Sequence, residues 1–174
     1  INEINVYCGS YLPDWRPGVD FKYIYSANPN MGGGVHLDLF HEIDYVTWLF
    51  GQPKLYNSVK RSVSSLSIDS IDYANYILEY ENFTTSIILN YYRKKAKREI
   101  EIVFDQITWN VDLINNSIKT DEGDVIFEVK QFDILQTYKS QLSYYIDCLK
   151  VKSQPMNSFE DSIPALKICL ENEK

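Results

Sequence analysis

The feature that most narrows the possible folds is a change of hydrophobic period at Phe50-Gly51-Gln52-Pro53. Ahead of it, Val35, Leu39, Phe40, Ile43, Val46 and Phe50 fall on one face at about 100° per residue, predicting a helix over 35–50. Gly51 can take the left-handed position that closes a helix, and Pro53 prevents continuation. Behind it, over 55–129, the period is 2. Leu55–Val63, Asp72–Tyr80 and Phe83–Tyr92 read as strands, the last two joined at Glu81-Asn82 as a hairpin. Ile100, Ile102 and Phe104 alternate with Glu99 and Glu101; Ile107, Trp109, Val111 and Leu113 alternate with Thr108, Asn110 and Asp112. Such strands place one face on a core and leave the other more polar.

The remaining elements complete the order. Ile4–Cys8 reads as an entering strand, and Val125–Val129 follows a turn at Asp121-Glu122-Gly123-Asp124. Ile134–Val151 carries apolar residues at helical spacing. Ser158-Phe159-Glu160-Asp161 opens a final helix with an acidic capping box, and Pro164 either shifts its start or kinks its first turn. Strand, loop, helix, many strands and two helices predict an α+β fold: an open, largely antiparallel or mixed sheet with helices packed on one face, in one domain spanning 1–174.

Charge and cysteine content restrict the partners. A net charge of −7 argues against nucleic acid. The one basic cluster, Arg93-Lys94-Lys95-Ala96-Lys97-Arg98, lies between two strand-like stretches and reads as a solvated turn. No apolar run approaches the roughly 20 residues needed to span a membrane. Cys8, Cys148 and Cys169 are scattered without a C-x-x-C spacing, as in reduced structural thiols of a cytoplasmic protein. The chain begins Ile1-Asn2-Glu3-Ile4, which reads as a piece of a longer polypeptide.

Chemistry concentrates near the helix. Asp38, His41 and Asp44 recur every three residues, a stripe stepping by about 60° opposite the apolar face. An imidazole between two carboxylates suits general acid/base work on a hydroxyl, and a solvated polar face is the competing reading. His36 lies about 140° from His41 around such a helix, so the four groups do not converge on a metal. Gly32-Gly33-Gly34 lacks the spacing of a dinucleotide fingerprint; it lets the backbone pass close to a ligand or another domain. The aromatic loop from Gly9 to Asn30, with Tyr11, Trp15 and Arg16, either contacts substrate or packs on the surface.

Read together, Gly32-Gly33-Gly34-Val35-His36-Leu37-Asp38-Leu39-Phe40-His41-Glu42-Ile43-Asp44 resembles the motif of the glucose-fructose oxidoreductase / inositol dehydrogenase (Gfo/Idh/MocA) family. Tyr11-Leu12-Pro13-Asp14-Trp15-Arg16-Pro17-Gly18-Val19-Asp20 is similar to the loop before it in members from surface-sugar biosynthesis, and 159–174 is similar to the closing helix. The resemblance implies the C-terminal, substrate-binding and oligomerising half of a two-domain NAD(P)-dependent oxidoreductase acting on a sugar, sugar derivative or cyclitol. NAD or NADP would bind mainly to the missing N-terminal domain. By position, His41 matches the family's catalytic histidine and Asp38 its neighbouring aspartate; Tyr11, Trp15, Arg16 and Asp44 would shape the substrate pocket. Many members space that aspartate and histidine by four residues; here the spacing is three. The family often has a glycine-containing turn near Phe104-Asp105-Gln106-Ile107, which is absent here. The other class the residues allow is a non-catalytic dimerisation or carbohydrate-binding module of the same fold.

Overall fold

A computed structural model describes residues 1–171. The chain enters through β1 (Glu3–Tyr11), whose alternate residues Ile4, Val6 and Cys8 are buried. Four single 3-10 turns follow, at Leu12–Asp14, Phe21–Tyr23, Tyr25–Ala27 and Pro29–Met31. Then come α1 (Val35–Asp38) and α2 (Phe40–Phe50). Strands β2 (Leu55–Arg61), β3 (Tyr73–Glu79), β4 (Thr84–Asn90), β5 (Tyr92–Val103), β6 (Thr108–Asp112), β7 (Ser117–Thr120) and β8 (Val125–Glu128) succeed one another, before α3 (Ile134–Val151) and α4 (Phe159–Cys169).

All eight strands form one sheet in the order β2-β3-β4-β1-β5-β6-β7-β8. Every neighbouring pair is antiparallel except β1 with β4. A parallel pair needs a crossover, and here it is the loop–α1–α2 segment. After β1 the chain passes over one face, returns at the edge in β2, and zigzags inward until β4 lies beside β1. That path sets the predicted helix on the sheet. Ile43 and Val46 of α2 are fully buried, as are Leu78, Ile87 and Leu89 beneath them and Ala165 of α4. Burying side chains of this size contributes about 1.5–3 kcal/mol each. The carbonyl of Cys169 at the end of α4 accepts from the Tyr76 hydroxyl at 2.9 Å and from Lys60 Nζ at 2.7 Å, so side chains of β2 and β3 tie the closing helix to the sheet.

The α+β architecture is as the sequence predicts, and the hairpin between β3 and β4 closes with Tyr80 N–H on the Phe83 carbonyl at 3.0 Å. The turn at Phe104–Ile107 closes without a glycine, through Phe104 N–H on the Ile107 carbonyl. The capping box at Ser158 and Asp161 is formed, and Pro164 sits within α4 without ending it.

Three expectations are corrected. The helix over 35–50 is two helices, broken at Leu39 (φ −105°, ψ 23°), so angular stepping does not carry from Asp38 to His41. The basic run is no turn: all of it lies inside β5. Its charges are accommodated one by one, with the Arg93 and Lys97 head groups 5.0 and 5.4 Å from the Tyr7 ring centre and Lys94 at 3.2 Å from that of Tyr11. Finally, the apolar stripe of α3 does not enter the core. Leu135, Tyr138, Leu142, Tyr145 and Leu149 are all exposed, Leu142 by 60 %, and Cys148 is the buried residue of that helix. The similarity drawn over 159–174 extends past the described residues at 172–174.

Candidate functional site

The side chain at the centre of the site is one the sequence reading passed over. Glu42, on the first turn of α2, is 0 % exposed. Its Oε1 accepts from Arg98 of β5 through both Nε and Nη2, at 2.7 Å each, and lies 3.0 Å from His41 Nε2. Its Oε2 accepts from the Tyr45 hydroxyl at 2.8 Å. Burial alone would raise the carboxyl's pKa. The His41 bond, the Arg98 charge and the Tyr45 bond outweigh it, so Glu42 is held below the ordinary glutamate value. The same burial, with the Glu42 charge, pushes the Cys8 thiol up to about 12 and raises the Tyr45 phenol. Glu42 is ionised and Cys8 and Tyr45 are neutral at neutral pH.

His41 is the exposed member of the cluster. Its side chain is 51 % accessible, with one ring nitrogen on the buried carboxylate. The expectation that Asp38 and Asp44 flank it on a common stripe is not met. Asp38, beyond the break at Leu39, accepts a 2.5 Å bond from the Tyr91 hydroxyl at the corner between β4 and β5. Asp44 faces the other way along α2, 3.4 Å from Asn157 Nδ2, beside a 220 Å³ depression lined by Thr47, Trp48 and Asp161. The carboxylate that meets the imidazole is Glu42.

The aromatic loop joins the Asp38 side. Trp15 packs edge-on against Tyr91 with ring centres 5.4 Å apart, and its indole N–H donates to the Ser10 hydroxyl at 2.8 Å. Arg16 lies over Tyr25 at 5.5 Å, and Tyr11 carries Lys94 on its face. Burial, followed by the bond to Asp38 and its charge, raises the Tyr91 phenol, which stays a donor. Asp38, Tyr91 and Trp15 therefore form one contiguous group, with Arg16 next to Trp15 on the loop, Tyr11 at the end of β1, and Asp44 apart from it.

The three glycines serve the chain itself. A Cβ on Gly33 would sit 2.0 Å from the Tyr25 carbonyl oxygen and 2.8 Å from that of Asn28, so the loop packs directly on the glycine backbone. Gly32 has φ +77° and closes the turn before α1. Space that a pyrophosphate cradle would need is taken by residues 25–28, and the triglycine does not fit a dinucleotide. Among the described residues, no group of three or more His, Cys, Asp or Glu side chains is placed to hold a metal ion. No described helix is long and apolar enough to cross a membrane.

Glu42 was legible in part. A glutamate beside a histidine on an amphipathic helix reads as a surface charge, and only its pairing with Arg98, 56 residues away, buries it. The one sequence signal was an acidic residue close to the apolar face of Ile43 and Val46.

No protein-family profile matches the sequence, and no curated protein matches it. Solved structures do. UDP-N-acetylglucosamine 3-dehydrogenase GnnA from Acidithiobacillus ferrooxidans is similar over 98 % of this chain and 52 % of its own, at 14 % identity and a TM-score of 0.73. Aldose-aldose oxidoreductase from Caulobacter crescentus, complexed with glycerol, is similar over 96 % of this chain and 50 % of its own, at 14 % identity and TM-score 0.75. The WlbA dehydrogenase from Bordetella pertussis, in complex with NADH and UDP-GlcNAcA, is similar over 97 % and 52 %, at 16 % identity and TM-score 0.64. The chain thus spans about half the length of the structures it matches. What it shares with them is the fold, an α+β domain that accounts for about half of each.

Proposed function

We propose that this domain is the substrate-facing half of an NAD(P)-dependent oxidoreductase acting on the CH–OH group of a sugar, sugar derivative or cyclitol, and that His41 handles the hydroxyl proton. The observation that carries the reading is a half-exposed imidazole fixed at one nitrogen by a buried, ionised carboxylate, in a fold shared with sugar-related oxidoreductases. Oxidising an alcohol removes a hydride and a proton together. A nicotinamide, held outside this chain, would supply hydride acceptance or donation. On this chain, His41 accepts the hydroxyl proton and returns it in the reverse direction. Asp38, bonded to Tyr91 and backed by Trp15, offers an acceptor to neighbouring hydroxyls. Tyr11 and Arg16 complete the polar lining, with Arg16 free to grip a carboxylate or phosphate, while Asp44 stands apart from this lining.

The apolar stripe of α3 supports the placement of this domain beside another one, because more than five large apolar side chains on one helix stay in water here. Cys8, Cys148 and Cys169 form no disulfide with one another, which supports a reducing, cytoplasmic setting. The open face of the sheet, away from α2, is polar around a concavity of about 450 Å³ lined by Asn5, Glu99, Glu101, Asn110, Asp112 and Lys119, and suits self-association into a homo-oligomer. That same face favours the second reading, a non-catalytic dimerisation or carbohydrate-binding module.

The two readings separate in the full-length polypeptide that carries the cofactor domain. His41→Ala should lower turnover about 100-fold or more while leaving cofactor affinity intact. Turnover within a few-fold of the parent would overturn the catalytic reading.

A further inference from the structure

We propose that Glu42 is the positioning residue for His41: it holds Nε2–H of the ring and leaves Nδ1 as the nitrogen that exchanges the substrate's proton. The inference rests on the proposed role of His41 and specifies which atom performs it.

Neighbouring residues on a helix point about 100° apart, so His41 and Glu42 do not meet by helical geometry alone. Glu42 turns into the core, and the His41 ring leans over to reach it at 3.0 Å. The carboxylate it reaches cannot swing. An ionised carboxylate accepts through about four lone-pair sites, and here the donors come from two separate elements, Arg98 on β5 and both Tyr45 and His41 on α2. Each of these anchors is itself fixed. Arg98 lies opposite Cys8 in the register of two paired strands, and Tyr45 is one turn along the same helix.

The chemistry then selects a tautomer. An ionised, acceptor-only carboxylate bonds a ring nitrogen that carries hydrogen. In neutral His41 that hydrogen is on Nε2, and Nδ1, the nitrogen that is not on the carboxylate, carries the lone pair. The arrangement follows the logic by which a buried carboxylate fixes the working tautomer of a catalytic histidine. In the proposed oxidation the substrate O–H bond breaks toward Nδ1 as the C–H pair leaves as hydride, giving a carbonyl and an imidazolium whose new charge faces the Glu42 carboxylate through the opposite nitrogen. Each proton and electron pair has a stated destination, with nicotinamide as the oxidant class.

The test reads the ring directly. This chain, labelled with 15N-histidine, is recorded by long-range 1H–15N correlation above the pH where imidazole titrates, and His41→Asn assigns the signals against those of His36. The expected result is a single tautomer for His41, with Nε2 pyrrole-like and Nδ1 pyridine-like. In Glu42→Gln the two nitrogen shifts should move toward each other as the tautomers mix. An averaged or Nδ1–H ring in the parent chain overturns the proposal, and so does an unchanged ring in a folded Glu42→Gln. The parent spectrum decides the matter alone should Glu42→Gln fail to fold. In the full-length enzyme, Glu42→Gln should lower kcat 10- to 100-fold with KM unchanged; a change confined to KM overturns it. The outcomes separate from the oxidoreductase reading, since the ring spectrum needs no activity and His41→Ala needs no tautomer.

Discussion

Replacing Arg98 by Met tests the cluster at its permanent cation. The Glu42 carboxylate is wholly buried and takes both guanidinium bonds on one oxygen. Removing one partner of a buried ion pair costs about 3–5 kcal/mol, because the remaining charge stays desolvated. The Arg98 side chain is 36 % exposed, so water already screens part of the pair and the lower end applies, about 3 kcal/mol. In a chain of this size each kcal/mol lowers Tm by about 2–4 °C, so the midpoint should fall by roughly 6–12 °C. The double variant Arg98→Met with Glu42→Gln should recover about 1–3 kcal/mol of that loss, since a neutral amide needs no cation. Acid should erase the difference as well. Glu42 is held below its ordinary pKa of about 4.3, so its contribution is complete above that value and is lost as pH falls through the folded one. The gap between parent and Arg98→Met should therefore narrow on acidification from about pH 5 downward. Urea unfolding followed by circular dichroism across pH 3–7 measures all three quantities. A loss below 1 kcal/mol, strict additivity in the double variant, or a gap that widens in acid would refute the reasoning.

Three further variants address the glycines and α3. Gly33→Ala forces backbone against backbone at Tyr25 and should cost about 2–3 kcal/mol, whereas Gly32→Ala meets nothing within 4 Å and bears only left-handed strain of about 1–2 kcal/mol; thermal unfolding of both ranks them. Changing Leu135, Leu142 and Leu149 to Lys should alter stability by under about 0.5 kcal/mol each, because all three side chains are already in water; a large fall in Tm would mean that the stripe packs on this domain after all.

What the sequence disclosed follows from the range of the forces involved. Local period and turn chemistry are written in adjacent residues, so β2, β3, β4, β8, the Gly51 stop, the Ser158 cap and α3 were readable at nearly their observed bounds, whereas the short β7 was not read as a strand. The break at Leu39 was not readable, because it comes with the reach of Asp38 to Tyr91, 53 residues away. The basic run failed for a related reason: Lys94 looks like solvent-facing charge until Tyr11, on the strand beside it, offers a ring. The α3 stripe was legible as amphipathic, but a pattern does not say which molecule covers it.

The burial of Glu42 bears on why α2 holds one position. The apolar face of α2 is made of Ile43, Val46 and Phe50, side chains that could slide over a sheet of Val, Ile and Leu at modest cost. A buried carboxylate cannot slide. Displacing α2 by one residue along its axis, about 1.5 Å, would pull Oε1 away from both Arg98 nitrogens at once and strand an ionised group in the core. A buried ion pair adds little net stability against a well-packed apolar substitute, yet it penalises every register but one. In this chain that register is what holds the half-exposed His41 ring with Nε2 on the carboxylate. The same bonds that specify the helix therefore specify the histidine, and a variant that replaced Glu42 and Arg98 together by matched apolar residues should keep its stability and lose the fixed orientation of His41.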